Sequence, residues 1–122
     1  MAHQGTLDVL AGSTDVFLYF QINDSTAFTP ETGITVTTLD IQVTRAGAAA
    51  LTKVDGIVGD ANATVHTDGK IVQINATSSP GLYVVCAADT AFATGAPSVT
   101  VVVTGSGFDP AIQQVNLRNY AV

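Results

Sequence analysis

The amino-acid sequence predicts an all-β protein of two packed sheets, and three observations lead to that prediction. Apolar residues alternate with polar ones at a period of two along several stretches, as half-buried strands require. The alternating positions are rich in β-branched residues, and Gly, Pro, Asn and Asp bound the stretches. Turn residues recur at a spacing of roughly ten residues, which is typical of many short strands folded back on one another.

Two stretches show the clearest alternation. The apolar residues of the first share one face: Val16, Leu18, Phe20 and Ile22. The second, from Thr37 to Arg45, directs its apolar residues inward, at Leu39, Ile41 and Val43, and its polar residues outward, at Asp40, Gln42 and Thr44. This second pattern is expected for a sheet with one face in water.

Weaker patterns predict the remaining strands. Four short ones are expected at Thr6 to Leu10, Leu51 to Asp55, Ala63 to His66 and Lys70 to Asn75. The Pro80-Gly81 pair suits a type II turn, and it leads into a strand with its inward residues at Leu82, Val84 and Cys86. Two final strands have their inward residues at Val99, Val101 and Val103, and at Val115 and Leu117.

One stretch, Asp89 to Gly95, predicts a single helical turn, with Asp89 as its cap and Gly95 as a left-handed stop. Roughly seven to nine short strands and one helical turn favour an antiparallel immunoglobulin-like β-sandwich over a closed barrel. No repeat or linker divides the sequence, so we expect residues 1–122 to form one domain, with a short flexible N-terminal arm over about residues 1–5.

The composition excludes several classes of partner. Four Lys and Arg residues against ten Asp and Glu give a net charge of −6, so no basic surface is available for nucleic acid or anionic membranes. No apolar run approaches the roughly 20 residues of a membrane-spanning helix. The first residues also lack the pattern of a secretory signal, which indicates either a cytoplasmic product or a mature piece.

Groups suited to catalysis are scarce. Cys86 lies in phase with apolar neighbours and is interpreted as a core residue, which also leaves no disulfide framework. His66 lies near Asp60 and Asp68, but no second histidine is spaced to complete a metal site. Asp55, Asp60 and Asp68 offer a calcium alternative, although acidic residues in such loops are more often turn formers. We expect no enzyme activity, no cofactor and no metal.

Two binding hypotheses remain. Charged residues are 11% of the chain, so much of its surface must be neutral and can approach another protein without desolvating ions. This favours an assembly subunit over a Thr-rich soluble domain that its negative charge keeps apart. The alternative is a glycan-binding module in which Tyr19, Tyr83 or Phe108 stacks against sugar rings.

Several segments, in their order along the chain, resemble small virion structural proteins of tailed bacteriophages and the immunoglobulin-like domains of phage baseplate and tail-fibre proteins. They are Leu18-Tyr19-Phe20, Thr32-Gly33-Ile34-Thr35, Leu39 to Arg45, Pro80-Gly81-Leu82-Tyr83, Asp89 to Gly95, Gly107-Phe108-Asp109-Pro110 and Val115-Asn116-Leu117. The resemblance covers most of the chain. It implies a non-enzymatic virion component: a capsid decoration, neck, tail or fibre-attachment subunit.

The partners implied are other virion proteins, with the chain acting as a homo-oligomer or as one copy in a lattice. The expected location is the virion, assembled in the bacterial host cytoplasm. Partner contacts are predicted at Arg45 and in the terminal segments, at Ala2, His3, Gln4, Asn119, Tyr120 and Val122. Terminal segments can add a strand to a neighbour's sheet edge through main-chain hydrogen bonds.

Overall fold

A computed structural model of the chain describes residues 6–32, 39–47, 54–55, 57–58, 66–75 and 77–118. Within these residues the chain forms nine strands and one short 3₁₀ helix at Asp89–Phe92. The strands are β1 (Leu7–Leu10), β2 (Phe17–Gln21), β3 (Leu39–Arg45), β4 (Val54–Asp55), β5 (Ile57–Val58), β6 (Lys70–Asn75), β7 (Ser79–Cys86), β8 (Ser98–Gly105) and β9 (Ala111–Arg118).

The strands lie in two sheets. One has five strands in the order β1-β9-β8-β3-β4, and the other has four in the order β2-β7-β6-β5. Neighbouring strands are antiparallel, except that β1 runs parallel to β9 and β5 runs parallel to β6. The placement of β2, β6 and β7 in one sheet and β3, β8 and β9 in the other is the partition of an immunoglobulin-like sandwich. The predicted fold class is confirmed.

The core lies between the sheets and consists of the residues that alternation directs inward. Side chains of β2, β3, β8 and β9 form one buried cluster, which includes Leu18, Phe20, Leu39, Ile41, Val99, Val101, Val103, Val115 and Leu117. Burying an aliphatic or aromatic side chain of this size stabilises the fold by roughly 1.5–3 kcal/mol. The inward faces predicted for these four strands are confirmed.

The predicted phase of β7 is wrong. Its register places Tyr83 opposite Phe20 and Val85 opposite Leu18, so Tyr83 and Val85 face the core. Val84 and Cys86 lie on the other face of the sheet, where they are also fully buried. Because both faces of β7 carry buried apolar side chains, the alternation of its sequence does not distinguish them.

The predicted turn at Pro80-Gly81 lies inside β7. The turn that precedes this strand is made by Asn75, whose Oδ1 accepts hydrogen bonds from the backbone N–H groups of Thr77 (2.9 Å) and Ser78 (2.8 Å). Gly81 nevertheless has a φ of +83°, and its carbonyl oxygen accepts a 2.8 Å hydrogen bond from the N–H of Ile22. The positive φ expected at Gly81 is therefore present, within a strand.

The helical turn is confirmed as the 3₁₀ helix, which buries Ala91 and Phe92. Asp89 does not cap this helix as predicted. Its Oδ1 accepts a 2.8 Å hydrogen bond from the backbone N–H of Asp15 instead. The carboxylate thus ties the 3₁₀ helix to the turn that precedes β2.

The weaker predicted strands have three outcomes. β1 and β6 match the predictions for Thr6 to Leu10 and Lys70 to Asn75 closely, and β4 covers the last two residues of the stretch ending at Asp55. In the stretch Ala63 to His66, only His66 lies within the described residues, and it is not in a strand. The strand β5 was not expected from the sequence.

Candidate functional site

Arg45, a predicted partner contact, is used inside the fold. Alternation along β3 puts its side chain on the inward face with Leu39, Ile41 and Val43, and it is 9% exposed. The guanidinium donates four hydrogen bonds to main-chain carbonyls around the 3₁₀ helix. They run from Nη1 to Thr90 (3.1 Å) and Ala91 (3.0 Å), and from Nη2 to Ala93 (2.9 Å) and Thr94 (3.0 Å).

This arrangement has a structural purpose. The last carbonyls of a helical turn lack partners within the turn, and they are costly to bury without hydrogen bonds. The planar guanidinium has enough donors to satisfy several of them at once. Arg45 therefore fastens the 3₁₀ helix to β3, which leaves its side chain little surface to offer another protein.

His66, which the sequence analysis considered as a metal ligand, lies in a cluster of polar groups. Its side chain is 4% exposed, and its Nε2 lies 3.0 Å from the carbonyl oxygen of Val16. Its Nδ1 lies 3.5 Å from Oδ1 of Asp15 and 3.6 Å from Oδ1 of Asp68. The imidazole also packs edge-on against Phe17, with ring centroids 5.1 Å apart.

The contact with Val16 fixes the tautomer of His66. A carbonyl oxygen can only accept, so Nε2 must carry a hydrogen and donate it. In the neutral ring Nδ1 then bears a lone pair, so it has no hydrogen to donate to the carboxylate of Asp15 or of Asp68. Within the parts of the chain that the structure describes, no group of three His, Cys, Asp or Glu residues is arranged to hold a metal ion.

The three aspartates of the calcium alternative, Asp55, Asp60 and Asp68, are not seen together in the described part of the chain. Asp68 lies beside His66, while Asp60 and the side chain of Asp55 lie outside the description. Cys86 is fully buried, in agreement with its interpretation as a small apolar core residue.

Of the three aromatic residues considered for glycan stacking, Tyr83 and Phe108 lie inside the fold. Tyr83 is 2% exposed and Phe108 is 6% exposed, and both belong to the core cluster. The hydroxyl of Tyr83 lies 3.0 Å from the carbonyl oxygen of Glu31. Tyr19, on the outer side of β2, is 56% exposed and presents its ring to solvent. The remaining predicted contact residues, Ala2, His3, Gln4, Asn119, Tyr120 and Val122, lie outside the described residues.

The outward side of the five-stranded sheet is a broad surface of neutral side chains, which we call the outer face. It consists of Gln42, Thr44, Thr100, Val102, Thr104, Ile112, Gln114 and Asn116. The register aligns Gln42, Val102 and Ile112 in one row across three strands. Ile112 is 37% exposed.

Charged groups lie at the borders of this face. Asp40 lies at the start of β3, and Arg118 lies at the end of β9. Nη2 of Arg118 forms a 2.7 Å ion pair with Oδ2 of Asp8 on β1, and this pair, with a hydrogen bond from Asn116, lowers the pKa of Asp8. The alternation of β3 predicted that one face of this sheet is in water. It did not identify Val102 and Ile112, because an apolar residue in a strand gives no sign in the sequence that it lies on the outer face.

A second surface feature was missed by the sequence analysis. Residues 23–30, which we call the Phe28 loop, connect β2 toward β3 and end in an isolated bridge between Asn23 and Pro30. Phe28 is 70% exposed and has a φ of +58°. Oδ1 of Asp24 accepts hydrogen bonds of 2.7 Å from the N–H groups of both Thr26 and Ala27, and these bonds lower the pKa of Asp24.

Comparison of the chain with protein-family models, curated proteins and solved structures finds no match. Over the described residues, no helix is long and apolar enough to cross a membrane. Support for a function therefore comes from the fold, from its surfaces and from the sequence resemblance.

Proposed function

We propose that the chain is a non-enzymatic structural subunit of a tailed-phage virion and acts through protein–protein contacts. Capsid decoration, neck or tail placement and fibre attachment are the positions compatible with it. The observation that carries the proposal is the outer face, in which β3, β8 and β9 present a continuous surface of neutral side chains. The virion itself is supported by the sequence resemblance.

Neutral surfaces suit association because burying them does not require stripping water from ions. Interface cores are depleted in charged residues for this reason. Val102 and Ile112, which are adjacent across β8 and β9, supply an apolar centre. The surrounding Thr and Gln side chains can donate and accept hydrogen bonds at its rim. Such a face can pack flat against another subunit or against a lattice protein.

A catalytic role has less support. The two groups that first suggest chemistry are engaged in structure: Cys86 is buried, and His66 is hydrogen-bonded to the carbonyl of Val16. Catalysis needs a nucleophile or acid–base pair within reach of a substrate. The described part of the chain does not bring such a pair together.

The test compares two isoleucines that are almost equally exposed but lie on different sheets. Ile112 on the outer face is 37% exposed, and Ile74 on β6 is 38% exposed. We expect Ile112→Glu to lower the number of copies of this protein in purified virus particles, and Ile74→Glu to leave that number unchanged. Light scattering of both variants then shows whether the chain's own oligomer is affected. Equal incorporation of both variants would contradict the proposal.

The alternative function is a glycan-binding module for host-surface attachment, and the exposure of Tyr19 is the observation that favours it. With Tyr83 and Phe108 inside the fold, the stacking surface is reduced to Tyr19. Titration of the chain with host polysaccharide tests this alternative. The glycan-binding hypothesis predicts a saturable signal that Tyr19→Ala abolishes. A titration of the unchanged chain that shows no binding would contradict this hypothesis.

A further inference from the structure

Phe28 has two properties that rarely occur together. Its side chain is 70% exposed, and its φ of +58° lies in the left-handed region, which bulky residues seldom adopt. Unfavourable backbone conformations persist where the surrounding structure holds them, and they concentrate at functional positions. A phenylalanine ring that is mostly exposed also contributes little to folding.

The surrounding structure does hold this loop. Within the loop, the N–H of Phe28 donates to the carbonyl of Asp24 (3.0 Å), and the N–H of Asp24 donates to the carbonyl of Thr29 (2.7 Å). Two further bonds tie the loop to the turn between β8 and β9: Ser25 N–H to the Gly107 carbonyl (3.2 Å) and Asp109 N–H to the Asn23 carbonyl (2.9 Å). Phe28 is thus presented by a loop anchored from two directions.

The charged residues of the Phe28 loop, of the residues that flank it and of the β8–β9 turn all have the same sign. Residues 22–32 and 105–110 contain the acidic residues Asp24, Glu31 and Asp109, and they contain no Lys or Arg. The hydrogen bonds to Asp24 favour its ionised form. A protein surface that receives this loop therefore has to offer an apolar pocket for the ring and positive charge around it.

A second copy of the chain fits these requirements poorly. Of its three described Lys and Arg residues, Arg45 is held inside by four carbonyls, and Arg118 is paired with Asp8. The third, Lys70, is half-buried at the start of β6 and supplies one positive charge, not a basic rim. Two copies meeting through this loop would also bring like charges together. Anionic lipid would repel the loop for the same reason.

We propose that the Phe28 loop is a preformed anchor, which inserts Phe28 into an apolar pocket rimmed by Lys or Arg side chains on a different protein of the assembly. This inference rests on the proposed function, because it names a contact and the kind of partner within it. A fixed loop loses little conformational freedom on binding, so the contact of the ring contributes to affinity with little ordering cost. Aromatic side chains that fill a pocket are typical of the few residues that dominate an interface.

The first step of the test identifies the partner by photo-cross-linking in the cells that assemble the particles. p-Benzoylphenylalanine replaces Phe28 in one variant and Ile112 in a second, and the cross-linked peptides are sequenced. The proposal expects residue 28 to cross-link to a different protein, at an apolar site flanked by Lys or Arg.

The second step measures the affinity of that purified partner by calorimetry. We expect Phe28→Ala to weaken binding at least about tenfold, whereas Leu10→Ala, which truncates another exposed apolar side chain, leaves it unchanged. Glu31→Gln should weaken binding about two- to threefold at low salt and have no effect in 0.5 M NaCl, because screening removes its attraction to a basic rim.

The outcomes separate this inference from the proposed function. Cross-links from residue 112 without any from residue 28 would overturn the anchor and leave the proposed function standing. Absence of cross-links from both positions would count against both. A cross-link from residue 28 to a second copy, to lipid or to polysaccharide would also overturn the anchor, as would Phe28→Ala binding as tightly as the unchanged chain.

Discussion

Nη1 of Arg45 donates a 3.0 Å hydrogen bond to the carbonyl oxygen of Ala91, which lies 46 residues later in the sequence. The same guanidinium reaches three more carbonyls on either side of Ala91. A buried charged side chain thus connects β3 to the 3₁₀ helix.

We expect Arg45→Met to lower the free energy of unfolding by about 2–4 kcal/mol, because it removes the donor from the buried carbonyl of Ala91 and from three partly buried carbonyls beside it. Arg45→Lys should cost less, about 1–2 kcal/mol, since an ammonium keeps the charge but loses the planar fork. Urea unfolding followed by circular dichroism measures both. An Arg45→Met variant as stable as the unchanged chain would show that the four bonds contribute nothing.

Gly81 and Gly107 form a matched pair for testing steric space. Both have positive φ, +83° and +91°. A Cβ at Gly81 would lie 2.8 Å from the carbonyl oxygen of Ile22 and from Cβ of Pro30, and it would collide with Nε2 of Gln21, whereas a Cβ at Gly107 would meet nothing within 4 Å.

We expect Gly81→Ala to cost about 2–4 kcal/mol of stability and Gly107→Ala only about 1 kcal/mol, the cost of the positive φ alone. Thermal and urea unfolding of the two variants give the comparison. Equal losses would mean that the close approach at Gly81 has no energetic consequence.

The hydrogen bond from His66 to Val16 predicts the protonated nitrogen of the neutral imidazole. We expect the hydrogen on Nε2 and a lone pair on Nδ1, because the carbonyl oxygen of Val16 needs a donor. Long-range ¹H–¹⁵N NMR of the ring distinguishes the two nitrogens at a pH where the ring is neutral. Finding the hydrogen on Nδ1 would show that the contact with Val16 is not a hydrogen bond.

The hydrogen bonds that the Asp24 carboxylate accepts lead us to expect that the protein is less stable in acid. Hydrogen bonds from the N–H groups of Ala27 and Thr26 lower its pKa in the folded protein below that in the unfolded chain. The carboxylate therefore contributes stability above the unfolded pKa, and this contribution is lost as the pH falls through the folded pKa.

We accordingly expect Asp24→Ala to be less stable than the unchanged chain at pH 7, with a difference that shrinks once the pH falls below about 4. Asp24→Asn keeps an acceptor at this position and should show a smaller loss at neutral pH. Urea midpoints measured over a pH series test this. If the difference in stability between Asp24→Ala and the unchanged chain stays constant at the lowest pH tested, the ionised carboxylate of Asp24 does not stabilise the loop.

Val101 and Val102 are neighbours in β8 but lie on opposite faces of their sheet. Val101 is fully buried in the core, and Val102 lies on the outer face. Val101→Asp should cost about 4 kcal/mol or more by burying an unpaired charge, whereas Val102→Asp should cost about 1 kcal/mol. Circular dichroism and urea unfolding show whether the register is correct, and a reversed order would mean that β8 is out of phase.

Alternation predicted the faces of β2, β3, β8 and β9 because each of these strands has one strongly apolar side. It failed for β7, where Val84 and Cys86 are buried on one face and Tyr83 and Val85 on the other. A period of two identifies the inward face only when one face of a strand is clearly more apolar than the other.

The surroundings of Arg45 and Phe28 could not be predicted from the sequence, for different reasons. The alternation that places Ile41 and Val43 inward also places Arg45 inward, but its acceptors come from residues 90–94, and sequence spacing does not show that they lie beside β3. Phe28 lies in a loop of Thr, Ser and Ala without periodicity, so its exposure depends on bonds to the β8–β9 turn that only the fold brings together.

The parallel pairing of β1 with β9 also affects how the chain is made. Asp8 and Asn116, hydrogen-bonded across this pair, are 108 residues apart in sequence. At ribosomal rates of about 5–20 residues per second, β1 emerges about 5–20 s before the strand beside which it ends. During that interval its backbone groups and the side chains of Leu7 and Leu10 have no partner on β9. Newly made chains should therefore be most prone to exchange strands with one another during synthesis, before β9 completes the sheet.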